Sequence, residues 1–215
     1  MSHTLHREGS AESLANDYIV LQMPGQDRGM AGSAENNRRF IRLAIKNHAV
    51  NYNHETLGAL YTIPDAEHVL STELADGGGI HAVFTDPEDL TNFLADLKEA
   101  NMGYSVVVSG LLKRVDECCH KAGLKRHTVN LSLGVHGRTD KLAPDDVREV
   151  TTMCGHGMVT AALVLDCVER IAGGRMTAKA AAEKQAALCP CGIFNPVRAE
   201  TLLRQMADAR MNGKS

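Results

Sequence analysis

Tryptophan is absent, and aromatic residues make up only 4% of the 215 residues. Proteins that grip single strands of nucleic acid stack bases on aromatic rings, so that kind of platform is not expected. A basic excess is missing too. Lys and Arg number 23 against 26 Asp and Glu, a formal net charge of −3 with His neutral. The electrostatic footprint of a nucleic-acid binder is therefore not expected either. No apolar run reaches the roughly 18 residues that a membrane-spanning helix needs. The opening residues, Met1-Ser2-His3-Thr4-Leu5-His6, lack the apolar core of a signal peptide. These absences together predict a cytoplasmic chain without nucleic-acid or membrane partners.

Nucleotide-binding signatures are missing as well. Gly77-Gly78-Gly79 is not followed by the Lys-Ser/Thr of a phosphate loop, and no Gly-x-Gly-x-x-Gly follows a predicted strand. No Gly-x-Ser-x-Gly nucleophile elbow occurs.

What is present is ordinary in bulk, with 44% apolar and 23% charged residues, as in a globular protein. Six cysteines and ten histidines stand out. In a cytoplasmic chain of this size, six thiols favour metal binding or thiol reactivity over a disulfide framework. The histidines add ligands and proton carriers.

Periodicity predicts a strand over 18–21 and a helix from Asn36 or Asn37 to about His48. It further predicts a short helix over 53–60, a strand starting at Val69-Leu70, and a strand over 80–84. Asp86-Pro87 opens a helix as N-cap and first-turn proline, Leu90, Phe93, Leu94 and Leu97 recur at helical spacing, and Asn101-Met102-Gly103 closes it. A β-branched strand over 104–108, a helix over 111–122 and an alternating strand over 128–135 follow. Residues 80–135 thus read β-α-β-α-β. The expected fold is α+β or α/β, a ferredoxin-like sandwich over 1–143. Four helices, near 144–153, 157–172, 177–188 and 195–211, form an all-helical module over 144–215 packed on it.

That helical part carries the chemistry. Thr152-Met153-Cys154-Gly155-His156-Gly157 precedes one predicted helix, and Cys189-Pro190-Cys191-Gly192 precedes another. Helix N-termini favour thiolates through their unpaired N–H groups. Gly155, Gly157 and Gly192 let backbone amides approach a bound group, and Pro190 stiffens the Cys-x-Cys turn. Cys154, Cys189 and Cys191 are the expected ligands of a [4Fe–4S] cluster, with an open iron for substrate. Zinc in a Cys₃His set with His156 is the alternative, though Cys-x-Cys fits the usual Cys-x₂-Cys zinc template poorly. Reactive thiols without metal are a third reading.

His136 and Arg138, beside Asp140 and Lys141 at the end of the predicted 128–135 strand, are candidates with His156 for binding a small anionic substrate and moving protons. Cys119 is a candidate fourth ligand. Cys118 and Cys167 fall on apolar helix stripes and are expected in the core. His6-Arg7-Glu8 and His54-Glu55 are expected as exposed polar surface. The functional expectation is an iron–sulfur lyase or oxidoreductase, with an electron-transfer partner or a second copy of the chain as possible partners. A zinc enzyme, a metal accessory protein and a non-catalytic ligand-binding regulator are the alternatives.

Overall fold

Strand β1, Tyr18–Met23, is apolar or uncharged at every position and buried along nearly its whole length. In the computed structural model, which describes residues 4–23, 31–54, 58–62, 66–71, 74 and 76–213, β1 is flanked on both sides. It pairs antiparallel with β4, Ile80–Phe84, and with β5, Ser105–Ser109. β4 pairs in turn with β2, Asn51–His54, which forms a hairpin with β3, Gly58–Ala59. The five-stranded antiparallel sheet has the order β3-β2-β4-β1-β5.

Two helical crossings interleave in this sheet. Helix α2, Ser33–Lys46, joins β1 to β2, and helix α4, Pro87–Ala100, joins β4 to β5. Each crossing spans a strand of the other unit. The α4 signals act as their chemistry predicts. Asp86 accepts the N–H groups of Glu88 and Asp89, Pro87 enters the first turn, and Asn101 takes the left-handed conformation at φ 42°. Helix α2 lacks a side-chain cap of its own. Asp76 supplies one from the loop before β4, accepting the N–H groups of Gly32 and Ala34 at 2.8 and 2.9 Å.

Side chains alternate across the sheet and so feed two cores. On one face Tyr18, Val20, Ile80, Ala82 and Phe84 meet Phe40 and Ile41 of α2 and Leu90, Phe93 and Leu94 of α4. Phe93 packs edge-on to Phe40 at 5.1 Å between centroids. Helix α5, Leu112–Lys121, closes this side through Cys118. On the other face Ile19 and Val83 join the C-terminal helices. These are α6, Asp145–Thr151; α7, Ala161–Ala172; α8, Ala178–Ala186; and α9, Pro196–Asn212. The small side chains Ala181, Ala182 and Ala186 of α8 are fully or almost fully buried against the core that holds Ala199, Leu203 and Ala207 of α9. Cys167 is buried in the same core, as its helical stripe predicts.

Several local expectations are corrected. Residues 128–135 form no strand and lie exposed, so the third strand of the β-α-β-α-β pattern is absent and β1 fills the place beside β5 instead. Alternation marks a face but names no partner. The helix expected over 53–60 gives way to β2, β3 and a 3₁₀ turn at Leu60–Thr62, with residues 55–57 outside the described ones. Val69-Leu70, read as the start of a strand, belongs to helix α3, Ala66–Ser71. Two apolar residues are too few to separate the two periods. Helix α7 begins at Ala161 rather than at Gly157, because Thr160 caps it by accepting the Leu163 N–H, while Gly157 turns away at φ 70°. Among the described residues, no helix is long and apolar enough to cross a membrane.

Candidate functional site

Two turns bring the three cysteines together. The first follows α6: Cys154 N–H bonds Thr151 O at 3.1 Å, and Gly157 N–H returns to Cys154 O at 3.0 Å. The second follows α8: Cys189 N–H bonds Ala186 O, and Gly192 N–H bonds Cys189 O, both at 3.0 Å. Cys154 and Cys189 therefore sit past helix C-termini, which corrects the setting expected for Cys154, while Cys191 precedes Asn195, the N-cap of α9, as expected. The positive ends that would favour thiolates are replaced by individual turn amides. The N–H groups of His156 and Met158 pull the Cys154 thiol down in part, and those of Phe194 and Ile193 do the same for Cys189 and Cys191.

The sulfurs and one imidazole form a continuous series. The Cys154 thiol hydrogen-bonds the Cys189 sulfur. Cys189 Sγ lies 3.6 Å from Cys191 Sγ, which lies 3.5 Å from His156 Nδ1. Cys154 and Cys189 are buried; Cys191 is half-buried, and His156 is at the surface. The acidities are graded along the series. Donation to Cys189, and then burial, push the Cys154 thiol up. Cys189 is pulled down as acceptor from Cys154 but raised more by donating to Cys191 and by burial, to about 11. Cys191, as acceptor from Cys189, lies below the ordinary thiol value despite its own burial. Among the described residues, no group of three or more His, Cys, Asp or Glu side chains is arranged to hold a metal ion as it stands. Each donor here reaches the next one rather than a common centre.

Strand β2 seats the second turn. The Asn51 side-chain amide donates to Phe194 O at 2.9 Å, and that of Asn53 reaches Pro190 O at 3.4 Å. Gly192, at φ 63°, lies so close to β2 that a Cβ there would stand 2.8 Å from the Tyr52 backbone and from Asn53 Cβ. Its small size thus serves contact with β2. Gly157, at φ 70°, faces open space.

A buried ion group fixes the turn from below. Asp17, immediately before β1, has a side chain with 0% exposure. It receives both Arg7 (2.8 and 2.7 Å) and Arg198 of α9 (3.1 Å), as well as the amide of Asn195. Arg7 also donates to Ile193 O, two residues beyond Cys191. Asn195 caps α9 by accepting the Arg198 N–H. The Arg7 side chain, expected at the surface, is only 6% exposed, because Asp17 neutralises it. Sequence reading passed over Arg7, Asp17, Asn51, Asn53 and Arg198 as parts of this site. The visible signal was Asn51-x-Asn53, two amides on one face once 51–54 is known to be a strand.

The remaining candidates lie elsewhere. His136 is exposed, with Nε2 2.9 Å from Leu133 O, and Arg138 is exposed and paired with Asp140 at 2.7 Å. Neither has a described hydrogen bond or ion pair to the cysteines. Gly155 is exposed within the first turn. Cys119 packs with the core on the opposite sheet face, away from the other three thiols. No protein-family model, curated protein or solved structure matches this chain.

Proposed function

We propose that Cys154, Cys189, Cys191 and His156 close around a single soft metal ion of the zinc type, and that the protein works through this centre. The carrying observation is the 3.6 Å between the sulfurs of Cys189 and Cys191. Two thiolates on one tetrahedral ion, with bonds of about 2.3 Å, stand about 3.8 Å apart. Around a [4Fe–4S] cluster each thiolate takes a different iron, so the sulfurs stand farther apart. The donor set is also of the right kind, three sulfurs and an imidazole; Cys191 already lies below the ordinary thiol value, while Cys154 and Cys189, held up by bonding between thiols and by burial, would lose their protons to the ion. Closing the set requires the series to fold round one point. His156, at the surface, is the donor that a small anionic substrate would displace, leaving the open position that catalytic sites keep. An ion held there supplies Lewis-acid polarisation of a substrate oxygen.

Anaerobic purification followed by metal and sulfide analysis tests this. The expected result is a colourless protein with one zinc per chain, lost in Cys189→Ser and Cys191→Ser. A brown protein with iron and acid-labile sulfide overturns the single-ion assignment and returns the same cysteines to a [4Fe–4S] centre. A chain that takes up neither metal overturns both. The lowered Cys191 thiol beside His156 favours a second reading for that last outcome, a thiolate nucleophile with Cys189 as its neighbouring thiol. Selective alkylation of Cys191 in the metal-free protein would then be expected.

We also infer that the sheet is a ferredoxin-like sandwich. The two interleaved β-α-β units support it. β3 is then an added edge strand, and the C-terminal helices cover the face that such a sandwich leaves open.

A further inference from the structure

The sheet order ends on β5, whose outer edge has no partner strand among the described residues. Val106 and Val107 point to opposite faces yet are 38% and 37% exposed, so this edge is uncovered on both sides. Natural edges are commonly blunted by charge or proline. Ser105-Val106-Val107-Val108-Ser109 contains neither.

Facing this edge across a cavity of about 980 Å³ runs the segment that leaves α5. Its root is fixed: Leu124 N–H bonds Cys119 O at 2.8 Å, and Arg126 pairs with Asp116 at 3.1 Å. Beyond the root, Val129, Leu131, Leu133 and Val135 alternate with polar residues and are 42%, 68%, 89% and 50% exposed. The segment makes no ladder. Among the described residues, both halves of a β pairing, an apolar strand-patterned arm and a bare apolar edge, are left unused.

We propose that two copies of the chain exchange these arms. Residues 128–135 of each copy add as an outer strand to β5 of the other, closing a two-fold dimer. The occupant is a second copy because the two surfaces occur once each per chain, so reciprocal exchange consumes every arm and every edge and leaves nothing open to further growth. The chemistry matches as well, since an added strand can set its alternating apolar side beside Val106 and Val108, which share one face of β5, while Thr128, Asn130 and Ser132 turn to the other face.

Light scattering of the full chain during size-exclusion chromatography, combined with backbone hydrogen exchange, tests the proposal. The wild type is expected at twice its 23.2 kDa chain mass, with amides of 128–135 slowed. Leu131→Asp combined with Leu133→Asp should weaken the dimer by about 100-fold or more. It should release those amides while leaving far-UV circular dichroism unchanged, because both side chains are exposed in the single chain. A wild type that is monomeric at 100 µM overturns the proposal, and so does a double variant that stays dimeric. A monomer with slow amides at 128–135 overturns it too, showing the arm closed on its own β5.

Discussion

Replacing Gly192 with alanine measures how firmly the second cysteine turn is seated on β2. The residue sits at φ 63°, where an L side chain costs about 1–2 kcal/mol. In addition, the new Cβ would stand 2.8 Å from the carbonyl carbon and oxygen of Tyr52 and from Asn53 Cβ. Backbone atoms in a strand do not yield cheaply, so the turn must lift. Lifting strains the bonds from Asn51 to Phe194 O and from Asn53 to Pro190 O, each worth about 1 kcal/mol. The total is about 3–4 kcal/mol. For a chain of this length, 1 kcal/mol moves Tm by about 2–4 °C, which gives a fall of roughly 6–16 °C. Gly157→Ala is the control. Its φ of 70° carries a similar conformational cost, but nothing lies within 4 Å of the added carbon, so its fall should stay at about 2–8 °C. Thermal denaturation of both variants in one buffer containing a chelator reads the difference directly. Equal losses in the two would refute the seating of the turn on β2.

Arg198→Met should destabilise the fold by about 3 kcal/mol, seen as a lower urea midpoint, because Asp17 loses one of two cationic partners in a buried place. A loss below 1 kcal/mol would show that Arg7 alone satisfies Asp17. The N–H groups of Ala34 and Gly32 hold the Asp76 carboxyl below the usual carboxylate range. Its contribution is present above the unfolded carboxylate pKa, about 3.8–4, and disappears as pH falls through the lower folded value. The stability gap between wild type and Asp76→Asn should therefore close as pH falls below about 4; urea midpoints that keep a constant gap down to strong acid would contradict it. Cys167→Ala removes a buried sulfur on the α7 stripe and should cost about 1 kcal/mol. It should leave metal content unaltered by elemental analysis, and a parallel loss of metal would place Cys167 in the centre.

Legibility followed the range of the forces involved. Helix α4 could be read from sequence because everything that defines it is local: Asp86 and Pro87 at one end, Asn101 at the other, and a four-residue apolar stripe between. The β2–β3 hairpin could not. Asn51 and Asn53 are poor strand formers, and they are committed to a strand by carbonyls of Phe194 and Pro190, far away in the chain. The candidate site shows the same division. Residue types alone singled out Cys154, Cys189, Cys191 and His156, and the fold brings them into one series. Their expected electrostatics was misjudged, because Thr160 outcompetes Gly157 as the start of α7 and moves the helix N-terminus away from Cys154. Arg7 looked like surface because charged residues usually are, and its neutraliser Asp17 carries no sequence mark of pairing.

The ion group beneath the cysteine turn also sets an order of assembly. Arg7, Asp17 and Arg198 meet only when segments from near both termini are in place, across separations as large as 186 residues for the bond from Arg7 to Ile193. During synthesis, β1 and its flanking strands are made long before α9 leaves the ribosome, and until then Asp17 has only part of its counter-charge. The cysteine turn is therefore completed only after every strand of the sheet beneath it has been made.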